Sequence, residues 1–136
     1  MNAGTFLLGM LLVSLGGAAG SVLRWGVREY GLRWAAGRSS GAEERVRPWL
    51  TFAVNVVACF LLGLIVARLG AATGPAELAY LLLAAGVCAG LSTLSTAAVD
   101  VVDLIRRGRI AMSVAYFLLS IGAGMAALWS GLVIAS

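Results

Sequence analysis

Four long apolar stretches constrain this chain more than any other feature of its sequence. They cover about residues 5–25, 49–67, 78–102 and 110–135, and few charged residues interrupt them. A helix needs roughly 20 apolar residues to cross the hydrocarbon core of a membrane. Hydrophobic residues fill 61% of the 136 positions, which is more than a soluble domain of this length could bury. The sequence therefore predicts an all-α integral membrane protein, with four transmembrane helices in a single domain over residues 1–136.

The arginines are distributed unevenly among the three connections. Nine lie at or in the first and third connections, and only Arg68 belongs to the second. With four crossings the first and third connections share one side of the membrane, and arginine-rich loops face the cytoplasm. We therefore expect a cytoplasmic-membrane protein with loops 26–48 and 103–109 in the cytoplasm and both termini outside. We interpret residues 26–48 as a linker with a flexible middle at 37–41, whose arginines contact membrane lipid rather than nucleic acid.

Four hydroxyl side chains follow Gly90 within the third stretch, at Ser92, Thr93, Ser95 and Thr96. Serine and threonine can bond to nearby backbone groups and so compensate for an interrupted helix. Irregular backbone survives at membrane depth only where protein or a wet cavity surrounds it. The pattern predicts a break near Gly90–Thr93. The alternative is a continuous helix whose hydroxyls bond to its own carbonyl groups.

Pairs of glycines four residues apart predict where helices pack closely. Gly16 and Gly20 form such a pair in the first stretch, and Gly86 and Gly90 form another in the third. Lipid gives apolar helices no hydrophobic reason to associate, so small residues that allow close backbone approach mark their contacts. We therefore expect these two stretches to make close helix contacts.

Asn55 is the single amide of the second stretch, and it needs a partner because burying an unpaired amide is costly. Two roles remain open for it: a hydrogen bond that joins two helices, or a place on a polar path. Tyr116 and Ser120 lie four residues apart, which puts them on one face of the fourth helix. None of these residues is an acid or a base. Neutral donors can replace the hydration shell of a passing anion without trapping it, so the composition favours a passive anion path.

The same composition argues against several other classes of protein. Cys59 and Cys88 both lie inside predicted spans, where small buried thiols are more common than a disulfide or a metal site. A proton-coupled multidrug exporter of similar size needs a glutamate in its first helix, and none lies between Met1 and Arg24. An enzyme is not expected, because the acids lie in or beside connections. We expect Asp100 and Asp103 to pair with Arg106 and Arg107 at the membrane edge.

These residues, in this order, resemble the Fluc fluoride-channel family, also called CrcB. Residues 16–24, Gly-Gly-Ala-Ala-Gly-Ser-Val-Leu-Arg, are similar to the motif of the family's first helix. Residues 51–63 are similar to a second-helix motif built around an asparagine, and residues 86–96 to the Gly-Phe-Cys-Gly-Gly-Leu-Thr-Thr-Phe-Ser-Thr signature of the third helix. Tyr116 stands at the spacing of the fourth-helix tyrosine. The resemblance covers nearly the whole chain.

The resemblance implies an antiparallel dimer with two fluoride pores, which lets fluoride leave the cell passively and so relieves its toxicity. By the same resemblance, Arg24 lies at the vestibule, and a structural sodium ion at the dimer interface is held by backbone carbonyls around Ala89 and Ser92. The residues expected along the fluoride path are Asn55, Ser95, Tyr116, Ser120, Leu94 and Ala97.

Two of these positions depart from the family pattern. The family places phenylalanines where this chain has Leu94 and Ala97, and neither side chain can present an aromatic edge to fluoride. An antiparallel homodimer also needs balanced loop charge, whereas the arginines here are nine to one. We therefore expect an oppositely oriented homologous subunit, with a heterodimer favoured over a homodimer. The alternatives are a non-conducting structural partner subunit of such a channel and, more remotely, a small multidrug-type transporter.

Overall fold

The computed structural model describes residues 3–37 and 41–136, and helices make up most of them. Within this part of the chain four helical segments are long and apolar enough to cross a membrane. The third crossing consists of two helices in sequence, α3 and α4. The predicted all-α fold with four transmembrane crossings is confirmed. The helices are α1 (Ala3–Ala36), α2 (Ala42–Leu69), α3 (residues 75–91), α4 (Leu94–Arg106) and α5 (Ile110–Ala135).

The third crossing is interrupted where the sequence predicts a break. α3 begins with α-helical Pro75–Tyr80, widens to π-helical winding over Leu81–Cys88 and returns to α-helix at Ala89–Leu91. Ser92 and Thr93 are then extended, with φ and ψ of −72° and 154° and of −151° and 108°. The alternative of a continuous helix is therefore wrong.

Backbone contact between α1 and α3 holds the first half of this broken crossing in place. A Cβ added to Gly16 would lie 2.9 Å from the Cα of Gly86, and one added to Gly20 would lie 2.8 Å from the backbone nitrogen of Leu91. No larger residue fits at these positions without moving a helix. The predicted contact role of the paired glycines is confirmed.

A second glycine contact joins α2 to α5, and the paired-glycine pattern in the sequence does not reveal it. A Cβ on Gly63 would lie 3.0 Å from the backbone nitrogen of Leu132, and one on Gly131 would lie 3.0 Å from that of Leu64. These glycines have no partner four residues away in their own helices. The close approach therefore rests on one glycine from each helix.

The first connection is shorter than predicted, because both flanking helices extend beyond the apolar stretches. α1 continues to Ala36 and α2 begins at Ala42, so the interpretation of residues 26–48 as a linker is wrong for most of that range. The Glu29–Arg33 pair, with a distance of 2.7 Å between Arg33 Nε and Glu29 Oε1, supports the last turns of α1. Hydropathy marks only the part of a helix that lies in lipid, and it cannot locate such an end. The expected flexible middle includes residues 38–40, which lie outside the described residues.

Ion pairs join the arginine-rich ends of α2 and α4. Arg47 binds both acids of α4, with 3.0 Å from Nε to Asp100 Oδ1 and 3.0 Å from Nη2 to Asp103 Oδ2. Arg107 pairs with Glu44 instead. The expected pairing of both acids with Arg106 and Arg107 is therefore wrong, because α4 turns the two carboxylates toward α2.

Candidate functional site

The side chain of Asn55 on α2 stabilises the break in the third crossing. Asn55 Oδ1 accepts a hydrogen bond of 2.7 Å from the backbone N–H of Thr93, and Asn55 Nδ2 donates one of 3.2 Å to the carbonyl oxygen of Thr93. An unbroken helix would direct that N–H to the carbonyl of Ala89. The amide therefore replaces backbone bonds that the break removes, and of the two roles left open for Asn55 it performs at least the first.

The side chain of Thr93 begins α4. Its Oγ1 accepts a hydrogen bond of 3.2 Å from the backbone N–H of Thr96 and donates one of 2.9 Å to the hydroxyl of Thr96. The hydroxyl of Ser95 lies 3.3 Å from the same oxygen. Three of the four predicted hydroxyls thus meet at one point, which Asn55 joins through the backbone of Thr93. The result is a connected set of neutral polar groups where the helix is interrupted.

The fourth hydroxyl residue of the run contributes its backbone to the break. Arg24 Nη1 donates a hydrogen bond of 2.9 Å to the carbonyl oxygen of Ser92, and Ser21 Oγ lies 3.5 Å from the carbonyl of Gly90. The side chains of Ser21 and Arg24 on α1 therefore form hydrogen bonds with backbone carbonyl groups that the break leaves without helical partners. A cavity of about 220 Å³ opens beside this contact, with Arg24, Arg28, Thr93 and Thr96 among its lining residues.

Tyr116 and Ser120 lie together on α5, as their spacing predicts. Ser120 Oγ donates a hydrogen bond of 2.7 Å to the carbonyl of Tyr116. Tyr116 is only 3% exposed, and its hydroxyl finds no hydrogen-bond partner among residues 3–37 and 41–136. Tyr116 also lines a cavity of about 400 Å³ together with Trp49 and Met112. No hydrogen bond within the described chain joins this pair to the polar set around Thr93.

Three of the remaining predicted site residues, Leu94, Ser95 and Ala89, are exposed on the protomer. Leu94 is 81% exposed at the first turn of α4. Ser95 and Ala89 are exposed as well, and Ala97 is half-buried. At the break Leu94 is therefore directed away from the core of the protomer, whereas Ser95 is exposed but keeps its hydroxyl near Thr93.

Sequence reasoning missed the buried ion pair of Asp100, in the middle of α4. Asp100 is 1% exposed, and one of its carboxylate oxygens, Oδ2, has no hydrogen-bond partner in the described part of the chain. Four positions separate Asp100 from Thr96, and this helical spacing could have indicated that the acid shares a face with the polar run. Its sequence neighbours Arg106 and Arg107 suggested local pairs, whereas Arg47 lies 53 positions away.

The fold and the site define a class: a multi-pass membrane protein whose third crossing is broken around neutral hydrogen-bonding groups. Residues 11–132 match the family described as CrcB-like protein, Camphor Resistance (CrcB). This chain belongs to the CrcB family, which confirms the resemblance that its motifs suggested.

Several relatives resemble the chain over nearly its full length. A protein of Rhizobium etli (strain CIAT 652) named fluoride-specific ion channel FluC is 37% identical over 90% of this chain and 92% of its own length. Fluoride-specific ion channel FluC 2 of Rhodococcus jostii (strain RHA1) is 38% identical over 90% of this chain and 94% of its own. A FluC of Agrobacterium fabrum is 34% identical over 94% and 96% of the two chains.

Proposed function

We propose that this chain is a subunit of a fluoride-specific ion channel that lets fluoride cross the membrane passively. Membership of the CrcB family and the names of its relatives support the ion and the kind of transport. The observation that carries the proposal is the connected set of neutral polar groups at the break, formed by Asn55, Thr93, Ser95 and Thr96. Fluoride is small and tightly hydrated, so compact neutral donors suit it better than one deep charge.

Asn55 has a donor to offer beyond its structural bonds. A side-chain amide carries two N–H groups, and the bond to Thr93 uses one of them. We assign the second N–H to fluoride. Ser95, Tyr116 and Ser120 continue the path, and the unpartnered hydroxyl of Tyr116 is the donor on α5 best placed to serve it. Arg24, fixed on the carbonyl of Ser92, attracts the anion to the vestibule.

One protomer supplies only part of the path wall, which supports a dimer. Leu94 and Ser95 are exposed on the protomer beside the polar set, and this exposed surface suits contact with a second subunit. The nine-to-one arginine distribution favours one fixed insertion, with the arginine-rich connections between α1 and α2 and between α4 and α5 in the cytoplasm and both termini outside. An antiparallel assembly then takes its oppositely oriented subunit from a homologous chain of opposite loop charge.

Sodium is a hard cation that takes carbonyl oxygen ligands, and the break offers such groups. The carbonyl of Ala89 fits this role, because the Thr93 N–H that would bind it in a helix binds Asn55 instead and Ala89 lies at the protomer surface. The carbonyl of Ser92 fits less well, since the Arg24 guanidinium already occupies one of its lone pairs. Ala89 is therefore the stronger candidate ligand for a central sodium ion.

A second function is favoured by one observation. Leu94 and Ala97 give the chain no aromatic edge at the break, which suits a non-conducting structural subunit whose partner carries the working pore. This alternative keeps the fold and the dimer but assigns the residues around Asn55 a purely structural role.

Fluoride efflux from liposomes tests the proposal. Vesicles loaded with potassium fluoride and containing this chain together with a homologue of opposite loop bias should release fluoride when valinomycin is added, as measured with a fluoride electrode. Chloride-loaded vesicles are the control for selectivity. Asn55→Asp puts a negative charge beside the path and should stop the efflux assigned to this chain. Unchanged efflux would favour the structural alternative, and robust efflux from this chain without a partner would refute an obligate heterodimer.

A further inference from the structure

The buried carboxylate of Asp100 is negatively charged, and a negative charge near an anion path repels the anion. Asp100 is 1% exposed, and only Arg47 among the described residues pairs with it. The same guanidinium reaches Asp103, so Arg47 holds two carboxylates of α4 from its position on α2. The second oxygen of Asp100 has no partner in the described structure. A negative charge is therefore fixed inside the arginine-rich end of the bundle, and one arginine compensates it.

Asp100 lies near the cavities between Tyr116 and the arginine-rich surface. It lines a cavity of about 170 Å³ near the end of α4. The cavity of about 400 Å³ at Tyr116 adjoins it, because five residues line both. An ion that passes Tyr116 toward this surface comes close to Asp100. The shared residues are Glu44, Arg45, Pro48, Leu104 and Arg109.

The charges around the smaller cavity nearly balance, and Arg47 supplies its excess positive charge. Four arginines and three acids line it, a formal excess of one positive charge. Without Arg47 the excess disappears, and the buried carboxylate of Asp100 loses the ion-pair partner that the described structure gives it. Charges in a confined site act on an ion more strongly than in bulk water. The charged lining residues are Arg45, Arg47, Arg107, Arg109, Glu44, Asp100 and Asp103.

We propose that Arg47 is a positioning residue for anion passage: it holds and neutralises Asp100 so that the cavity at the arginine-rich end of the bundle stays positive and admits fluoride. This inference rests on the proposed function. It adds to that function the claim that fluoride passage requires the positive charge of Arg47, and not only the packing of its side chain. Arg47 is 30% exposed at its side chain, so the guanidinium borders both the buried acid and the open cavity.

Four variants test the proposal in the liposome efflux assay with the oppositely oriented homologue. Arg47→Gln should lower the fluoride efflux rate about tenfold, since it removes the positive charge beside a fixed carboxylate. Arg47→Lys keeps the positive charge but loses the guanidinium group that binds Asp100 and Asp103 through two nitrogens. It should retain about half of the efflux rate or more. The double variant Arg47→Gln/Asp100→Asn removes both charges and should recover to within about twofold of the wild type. Arg33→Gln, which removes an exposed arginine paired with Glu29, is the matched control and should not change the rate.

Thermal unfolding of each purified variant separates loss of charge from loss of fold. A folded Arg47→Gln protein with the wild-type rate would overturn the inference and leave the proposed function intact. A folded double variant that stays as slow as Arg47→Gln, or an Arg47→Lys protein that is equally slow, would show that geometry rather than charge matters. If Arg47→Gln does not fold, the efflux rates of Arg47→Lys and of the double variant still test whether the charge of Arg47 is required. Absence of efflux from the wild-type pair would overturn the proposed function and this inference with it.

Discussion

The side-chain amide of Asn55 forms two hydrogen bonds with the backbone of Thr93, accepting from its N–H at 2.7 Å and donating to its carbonyl at 3.2 Å. One side chain on α2 thus supplies both a donor and an acceptor to a residue that has left the helical ladder. The break can exist at membrane depth because these groups are satisfied inside the protein. The residue proposed to meet fluoride is therefore also the residue that shapes its route.

Replacing Asn55 should weaken the fold as well as the function. Asn55→Ala leaves the N–H and the carbonyl of Thr93 without their partner, and we expect the free energy of unfolding to fall by about 1–3 kcal/mol. Thermal unfolding in detergent measures this. Ser130→Ala is the control, because Ser130 bonds only the carbonyl of Ala126 on an exposed helix face. Equal stability of both variants would contradict the structural role of Asn55.

The cap of α4 can be tested by a pair of substitutions at Thr93. Thr93→Val keeps the shape of the side chain but loses the oxygen that accepts from the Thr96 N–H, and it should lower stability by about 1 kcal/mol. Thr93→Ser keeps the hydroxyl and should stay close to the wild type. Thermal unfolding of the two proteins side by side checks the difference. A serine variant as weak as the valine variant would indicate that the methyl group, and not the hydrogen bond, stabilises the break.

Hydropathy and spacing predict much of this structure. The four crossings follow from apolar length, and the break follows from the hydroxyl run after Gly90. Glycines four residues apart indicate that α1 and α3 each have a close-contact face, but not that the two faces meet. Each of these features depends on residues near one another in sequence. That locality is why the pattern in a single chain reveals them.

What the sequence does not predict depends on residues far apart along the chain. The bond from Arg24 to the carbonyl of Ser92 spans 68 positions, and the pair of Arg47 with Asp100 spans 53. Several acids and arginines compete for such pairs, and only the packing of α2 against α4 selects among them. The ends of α1 and α2 were missed for a different reason, because polar residues continue those helices beyond the apolar stretches.

The contact between α1 and α3 should not tolerate a methyl group at Gly20. A Cβ there would lie 2.8 Å from the backbone nitrogen of Leu91, so Gly20→Ala must push the helices apart, at a cost of about 1–3 kcal/mol. Gly26→Ala in the same helix meets nothing within 4 Å and should be neutral or stabilising. Thermal unfolding compares the two. A stable Gly20→Ala protein would contradict the tight contact.

Leu94 tests whether the surface of the break faces the ion path. The side chain is 81% exposed, so Leu94→Phe should change the stability of the protomer by no more than about 0.5 kcal/mol. If position 94 borders fluoride in the assembled channel, the positive edge of the new ring should raise the efflux rate about threefold. Leu94→Met keeps a bulky apolar side chain without a ring, and it should leave the rate unchanged. The liposome assay with the homologous partner measures all three proteins. An equal rise in the methionine variant would assign the effect to bulk, and no rise in the phenylalanine variant would remove position 94 from the path.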